Sequence, residues 1–266
     1  MLAAGRRNKR QRMDRRTFLI RSTGLLMASF WGSRMPAAAE MFLQPAAPPP
    51  RIALIIDDIG FSLKRAELFL TAGIPITFSI LPRLCWSAAS ARALHESGHE
   101  IMLHQPMEPF DAHVDPGPGA IFVDDGPQRV HDVVAENIAA LPYVVGVNNH
   151  MGSRYTQRPL KMDQALDVLR SSKLFFVDSL TTGRSTAFAR ARQMGLGAMR
   201  RDLFLDTQRD AGSVLGQMNR LAAIAVKYGR AIGIGHPRPE TMEGIQRFLD
   251  TPESEAVEFV HISRML

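Results

Sequence analysis

The fold can be inferred from one stretch of the chain, Ile52-Ala53-Leu54-Ile55-Ile56-Asp57-Asp58-Ile59-Gly60. Its first five residues are all apolar and mostly β-branched, which is typical of a strand buried on both faces in a parallel sheet covered by helices. The run then ends at two carboxylates and a glycine. Ligands of α/β folds bind beyond the carboxyl ends of the strands. The stretch therefore predicts an α/β fold with a functional site near Asp57 and Asp58.

The two adjacent aspartates need not share one role. Neighbouring residues of a strand point to opposite sides, so one carboxylate can bind a cation while the other holds or removes a proton. The alternative is that one aspartate caps the following helix and the other is solvated. Other strands of the chain that also end in polar residues favour the first interpretation.

Apolar runs and helix-like runs alternate along the rest of the chain, which predicts βα units and a parallel sheet. Strands are expected at 52–57, 75–81, 100–103, 144–149, 174–178, 231–235 and 257–262, with a weaker one near 197–200. Helices are expected at 62–72, 86–97, 127–140, 160–172, 186–194, 211–228 and 239–249. We predict a single domain over 51–266, a distorted (β/α) barrel of about seven parallel strands. The irregular stretch 105–126 is expected to form one wall of the active-site cleft.

The net charge of +6 invites a nucleic-acid-binding interpretation, but the charge is unevenly distributed. Residues 1–39 hold nine of the 32 Lys and Arg residues and one acid, so the remainder has 23 basic and 25 acidic residues. Because the remainder of the chain is nearly neutral, we predict that it does not bind nucleic acid.

The N-terminal segment resembles an export signal. A basic region leads through Arg15-Arg16-Thr17-Phe18-Leu19 to a modest apolar stretch and then to small residues that predict cleavage after Ala39. The paired arginines predict the twin-arginine route to the periplasm; an ordinary secretory signal and an uncleaved anchor are the alternatives. The apolar stretch is too short to span a bilayer comfortably, so no stable transmembrane span is expected after cleavage. Residues 40–50 form a Pro/Ala-rich linker.

Three of the eight histidines, namely His104, His150 and His236, directly follow predicted strands, and a fourth strand ends in Asp178-Ser179. A single histidine in such a place is more often a hydrogen-bonded structural residue, and His261, inside the last predicted strand, is interpreted in that way. In a closed barrel, however, the strand ends converge on one rim. One carboxylate with two imidazoles leaves positions open on a divalent cation, a pattern typical of a hydrolytic centre.

At these strand ends the chain resembles the polysaccharide deacetylase superfamily, and in particular its divergent bacterial branch. The segments that carry the resemblance are Ile56-Asp57-Asp58-Ile59-Gly60, Leu103-His104-Gln105-Pro106-Met107-Glu108, Asn148-Asn149-His150-Met151-Gly152-Ser153, Phe176-Val177-Asp178-Ser179 and Gly233-Ile234-Gly235-His236-Pro237. The resemblance implies a (β/α) barrel that hydrolyses acetamides on sugars with a bound metal. It implies that Asp57 is the general base, that Asp58 and His104 bind the metal, and that His236 is the general acid.

The chain departs from the superfamily pattern at one metal ligand. Typical members have a second metal histidine four residues after the first, where this chain has Glu108. We predict that His150 takes the place of this second metal histidine. Glu108 is either an alternative ligand or a substrate contact. Arg154 stands in for the usual arginine motif, which is not evident here.

We therefore predict an exported, metal-dependent deacetylase of cell-envelope polysaccharide or a peptidoglycan-like glycan, with zinc as the expected ion. Asp178 is expected to orient a catalytic or ligand side chain. The expected substrate contacts are Glu108, Asn149, Arg154 and Ser179. The alternative is a catalytically degenerate member that binds glycan or an envelope protein partner.

Overall fold

The computed structural model describes residues 48–266. The predicted export signal, 1–39, and residues 40–47 of the predicted linker lie outside this range. Within 48–266, every helix is too short or too polar to cross a membrane.

Nine strands and eight α-helices follow one another in the described part of the chain. The strands are β1 (Arg51–Ile59), β2 (Thr77–Ile80), β3 (Glu100–Met107), β4 (Val144–Met151), β5 (Phe175–Asp178), β6 (Ala198–Arg200), β7 (Leu203–Phe204), β8 (Arg230–Gly235) and β9 (Glu258–Phe259). The helices are α1 (Leu63–Glu67), α2 (Ser87–Glu96), α3 (Pro127–Ala139), α4 (Pro159–Ser171), α5 (Ala187–Gln193), α6 (Ala211–Tyr228), α7 (Pro239–Leu249) and α8 (Pro252–Glu255).

All strand pairs are parallel, in the order β6-β5-β4-β3-β2-β1-β8-β7, with β9 paired to β1. The sheet curls into a barrel-like shape surrounded by helices. Its two edges meet at the short link between β6 and β7, where Arg201 N donates to Asp178 O and Asp202 N donates to Ile232 O. If β6 and β7 are counted as one interrupted strand and β9 as an addition to β1, seven positions surround the barrel. The predicted fold class is confirmed.

Two separate apolar layers lie on the two faces of the sheet. Along β1, Ile52, Leu54 and Ile56 pack outward against the helices. Ala53 and Ile55 instead join a smaller cluster inside the barrel, together with residues such as Met102, Val177, Ile232 and Ile234. Because side chains alternate along a strand, this division shows which residues at each strand end face the barrel interior.

Two predicted strands differ from the structure by more than two residues at their carboxyl ends. β3 continues to Met107 because Gln105, Pro106 and Met107 pair with the end of β4, so the irregular segment begins only at Glu108. The last predicted strand is reduced to Glu258–Phe259, and His261 lies beyond it, where it precedes a short 3-10 helix at Ile262–Met265. The placement of His261 inside a strand was therefore wrong.

Candidate metal centre and active site

The inward-facing side chains at the carboxyl ends of four strands converge on one site. They continue the interior rows of β1, β3, β4 and β8, and they are Asp57, His104, Asn148, His150 and His236. This convergence follows from alternation, because interior apolar residues two positions earlier, such as Ile55, Met102 and Ile234, occupy the same face. The barrel core thus supports the site from below.

Asp58 joins Asp57 in this site through a distortion of β1. The register against β2 shifts between Ile56 and Ile59, and Asp58 has a φ of 57°. This left-handed conformation is uncommon for a residue with a side chain, although aspartate adopts it more readily than most. As a result, Asp57 Oδ2 lies 3.6 Å and Asp58 Oδ1 lies 3.3 Å from Nε2 of His104. Regular alternation would have separated the two carboxylates.

Three potential ligand atoms form a compact triangle. Asp58 Oδ1 lies 3.0 Å from His150 Nδ1 and 3.3 Å from His104 Nε2, and the two nitrogens are 3.1 Å apart. A tetrahedral zinc ion, with bonds of about 2.0–2.1 Å, separates its ligand atoms by about 3.3 Å. Asp58 Oδ1 is also buried without a well-oriented hydrogen bond from any residue of 48–266. The donor set and the unpaired oxygen both fit a divalent cation.

Asn148 links the triangle to Asp57. Its Oδ1 lies 2.7 Å from His104 Nδ1, and its Nδ2 donates to Asp57 Oδ1 at 2.8 Å. The Ser79 hydroxyl also contacts Asn148 Oδ1. Because an amide oxygen can only accept, His104 Nδ1 carries a proton, which leaves the Nε2 lone pair free for a metal in the neutral tautomer.

The electrostatics of the two aspartates differ. Burial raises the pKa of Asp57 above its ordinary value and outweighs the imidazoles of His104 and His236, which lower it. Burial would also raise the pKa of Asp58, but the imidazoles of His104 and His150 lower it well below its usual range. Asp58 is therefore the permanent anion of the pair, and Asp57 is the group better suited to accept a proton.

His236 forms a dyad with Asp206, which sequence reasoning missed. His236 Nδ1 lies 2.9 Å from Asp206 Oδ1, and Asp206 Oδ2 accepts from the His236 backbone N–H at 2.8 Å. His236 Nε2 faces the triangle, 3.8 Å from Asp58 Oδ2. Burial alone would lower the pKa of His236, but the hydrogen bond and charge of Asp206 raise it above the ordinary value. This arrangement can hold a proton at Nε2.

Asp178 does not take the orienting role that the sequence suggested. Phe175 and Val177 face the barrel interior, so Asp178 points outward. Its carboxylate accepts from Leu180 N at 2.8 Å and from Ser185 Oγ at 2.7 Å, and it contacts none of the candidate histidines within 48–266. Asp178 therefore anchors the loop after β5, and Asp206 is the residue that orients a candidate catalytic histidine.

Two predicted substrate contacts, Asn149 and Ser179, are buried in a junction between β4 and β5. Asn149 is 1% exposed; its Nδ2 donates to Met151 O, and its Oδ1 accepts from Ser179 N at 2.9 Å. Ser179 is equally buried. Asn149 thus joins β4 to the loop after β5, and the roles of Asn149 and Ser179 as substrate contacts stay predictions.

Glu108 and Arg154 pair with each other beside the site. Arg154 Nη1 lies 2.5 Å from Glu108 Oε1, and Glu108 Oε2 accepts from Val123 N at 2.7 Å. Among the described residues, the group of ligand atoms close enough to hold a metal contains Asp58, His104 and His150, without Glu108. The geometry thus favours His150 over Glu108, while Arg154 remains more than one-third exposed.

Arg201 is a further residue near the site that the sequence did not reveal. Its guanidinium donates to the backbone oxygens of Ser179 and Leu180 at 2.7 and 3.0 Å and stacks 3.6 Å from the centroid of Phe204. Arg201 and Asp206 both belong to the region around β7, a strand of two residues. The short apolar run Leu203-Phe204-Leu205 before Asp206 was the available signal, but it is too brief to predict a strand.

The described chain is similar to several other bacterial proteins. It is 34% identical to an uncharacterized protein of Haemophilus influenzae over 74% of this chain and 70% of that protein. It is 29% identical to the uncharacterized protein YibQ of Escherichia coli strain K12, over 80% of this chain and 66% of YibQ. The alignment thus spans slightly less than two-thirds of the YibQ length.

A solved structure has the same fold. The crystal structure of the uncharacterized protein ATU2773 from Agrobacterium tumefaciens C58 superposes with a TM-score of 0.77 at 21% identity, over 84% of this chain and 92% of that one. The family model for divergent polysaccharide deacetylases matches residues 54–266, which include every strand end that forms the site. The chain therefore belongs to the divergent polysaccharide deacetylase family.

Proposed function

We propose that the protein is a metal-dependent carbohydrate deacetylase that hydrolyses N-acetyl groups on cell-envelope polysaccharide. The observation that carries the proposal is the triangle of Asp58 Oδ1, His104 Nε2 and His150 Nδ1, whose edges measure 3.0–3.3 Å. A candidate proton acceptor and a candidate proton donor border it: Asp57 Oδ2 lies 3.6 Å from His104 Nε2, and His236 Nε2 lies 3.8 Å from Asp58 Oδ2. Membership of the family supports an acetylated sugar as the substrate.

Asp58, His104 and His150 would hold the cation, and the mixed nitrogen and oxygen donor set favours zinc. Such a cation would lower the pKa of a bound water molecule and would polarise the acetamide carbonyl. Asn148 fixes the His104 ring in the tautomer that metal binding requires. Residues 48–266 offer three ligands in this group, a number that would leave positions open for water and substrate.

Asp57 and His236 divide the proton transfers. Asp57, whose pKa is raised by burial, accepts the proton of the attacking water as the new C–O bond forms. His236 donates its Nε2 proton to the amide nitrogen as the C–N bond breaks, and the products are acetate and a free amine. Asp206 keeps the His236 imidazole oriented and favours its protonated form.

The location of the proposed activity follows from the N-terminal sequence. Arg15-Arg16 and the small residues before Glu40 support export by the twin-arginine route to the periplasm, where envelope glycans are available.

Arg154, exposed near the site, is the proposed substrate contact of the Glu108–Arg154 pair.

Metal content tests the proposal directly. We expect about one zinc per chain by elemental analysis after reconstitution, and loss of zinc from both His104→Ala and His150→Ala. His131→Ala is the matched control, because His131 is an exposed residue of α3. A wild-type protein that takes up no divalent cation would refute the hydrolase proposal.

A second candidate is a glycan-binding or protein-binding member without catalysis. The observation that favours it is the use of Glu108, at the usual position of a metal histidine, in an ion pair with Arg154. Asp57→Asn separates the two functions. An enzyme loses turnover of acetylated oligosaccharides while it keeps its affinity for them, whereas a binding protein has no turnover in either form.

A further inference from the structure

A cavity of about 200 Å³ opens directly beside the proposed metal centre. Its lining includes Asp58 and His236 of the site as well as Phe61, Arg65 and Arg238. Binding sites for complete small ligands are usually about 300–1,000 Å³, so this cavity suits one unit of a longer chain. The cavity borders Asp58, a proposed metal ligand, and His236, the proposed acid. A group bound in it would therefore lie next to the bond that is hydrolysed.

Two arginines line this cavity together with the carboxylate of Asp58. Arg65, on α1, is exposed and has no carboxylate within 4 Å among residues 48–266. Arg238 Nη1 donates to the Asp206 backbone oxygen at 3.0 Å and forms an ion pair with Asp206 Oδ2 at 3.4 Å, whereas its Nε and Nη2 have no hydrogen-bond partner within residues 48–266. Guanidinium groups bind carboxylates and phosphates through paired hydrogen bonds, so the cavity is suited to an anionic group.

Phe61 provides an apolar wall next to these charges. Its side chain lines the cavity and is 63% exposed. It directly follows Gly60, which has a φ of 128° just after β1. An exposed aromatic ring at a binding cleft can bury the apolar face of a sugar ring. The aromatic wall, the charge of Arg65 and the free donors of Arg238 fit a sugar that carries an acid.

We infer that this cavity is a subsite for a sugar residue with a carboxylate, and that the preferred substrate is an anionic N-acetylated glycan. Phe61 packs against the pyranose ring, and Arg65 and Arg238 bind the carboxylate. The inference rests on the proposed deacetylase function and names its substrate class. The carboxylate can belong to a lactyl ether substituent on the sugar or to a uronic acid.

Equilibrium binding to zinc-supplemented Asp57→Asn protein distinguishes these possibilities. The probes are three trisaccharides of N-acetylated sugars: one neutral, one with a lactyl carboxylate and one with a uronic acid. By titration calorimetry, we expect at least one acidic probe to bind about tenfold more tightly than the neutral one, a preference that weakens with added salt. The tighter of the two acidic probes identifies the source of the carboxylate.

Arg65→Gln should abolish this preference and leave the affinity for the neutral probe unchanged, and Arg65→Lys should retain part of it. Lys64→Gln is the matched control, since Lys64 is the exposed neighbour on α1 but does not line the cavity. Equal binding of all three probes, no binding of any, or equal effects of Arg65→Gln and Lys64→Gln would overturn the subsite. Zinc content measured on the same samples separates this failure from a failure of the proposed function.

Discussion

Asp206 Oδ1 lies 2.9 Å from His236 Nδ1, so the carboxylate holds the ring with Nε2 directed toward Asp58. Asp206 is itself fixed, since Oδ2 accepts from Thr241 Oγ1 at 2.7 Å and from the His236 backbone. The pairing links the end of β8 to the segment after β7. It therefore depends on the meeting of two chain regions about 30 residues apart.

Asp206→Asn should lower the activity and move its pH profile. The buried anion raises the pKa of His236, and a general acid loses its proton as the pH rises through that pKa. Removing the Asp206 anion lowers the pKa of His236, so the alkaline decline of kcat/KM should shift to lower pH. The maximal kcat/KM should also fall by about tenfold or more. The pH dependence of kcat/KM on an acetylated oligosaccharide measures both effects.

Asp178→Asn serves as the control for that experiment. Asp178 anchors the loop after β5 and faces away from the barrel interior. Asp178→Asn should therefore lower thermal stability without shifting the alkaline decline of kcat/KM. A shift of this decline in Asp178→Asn, or none in Asp206→Asn, would contradict the assignment of Asp206.

Asn148→Ala should weaken zinc binding by about ten- to hundredfold, as expected for a residue that orients a metal ligand. The substitution removes the hydrogen bonds to His104 and Asp57 while it leaves the three ligand side chains in place. Competition with a chromogenic chelator measures the affinity. Asn149→Ala, the next residue on the opposite face of β4, should cost stability and leave zinc affinity unchanged.

Glu108→Gln should retain zinc, because Glu108 lies outside the triangle and pairs with Arg154. The loss of a charged, partly buried partner should lower the free energy of unfolding by about 1 kcal/mol. Elemental analysis and chemical denaturation of the same sample measure the two quantities. Loss of the metal would instead identify Glu108 as a ligand.

Gly146→Ala should destabilise the protein by about 1–3 kcal/mol. A Cβ at this position of β4 would lie 2.3 Å from the ring of Phe175, inside the barrel, where the packing cannot easily adjust. Gly216→Ala is the opposite control: position 216 is exposed within α6 and meets no atom within 4 Å, so the change should stabilise by about 0.5–1 kcal/mol. Thermal and urea denaturation measure both variants, and equal effects would contradict the interior packing of β4.

Much of the fold was predictable from local pattern. The apolar runs located β1, β3, β4, β5 and β8, because strands buried on both faces leave an unmistakable signal. The same pattern predicted that the residues after those runs would meet, since parallel strands place their carboxyl ends on one rim. Strand β7 escaped prediction because two residues carry no periodicity, and Asp206 was missed with it.

The face on which each strand-end residue lies was harder to predict. Asp178 and His104 both follow apolar runs, but Asp178 points outward and His104 inward, a difference set by which layer the preceding residues join. Because side chains alternate along a strand, the sequence shows which residues share a face. In a run that is apolar on both faces, however, it does not show which face is the barrel interior.

The sequence by itself determined the parallel α/β fold and the chemical groups available at the rim, because hydrophobic periodicity and residue identity are local properties. Only the tertiary structure decided which groups act together. The left-handed backbone at Asp58 brings both aspartates to His104, and the meeting of β7 with β8 pairs Asp206 with His236. Both depend on contacts between distant segments, which stabilise a local conformation or a pairing that the residues alone would not adopt.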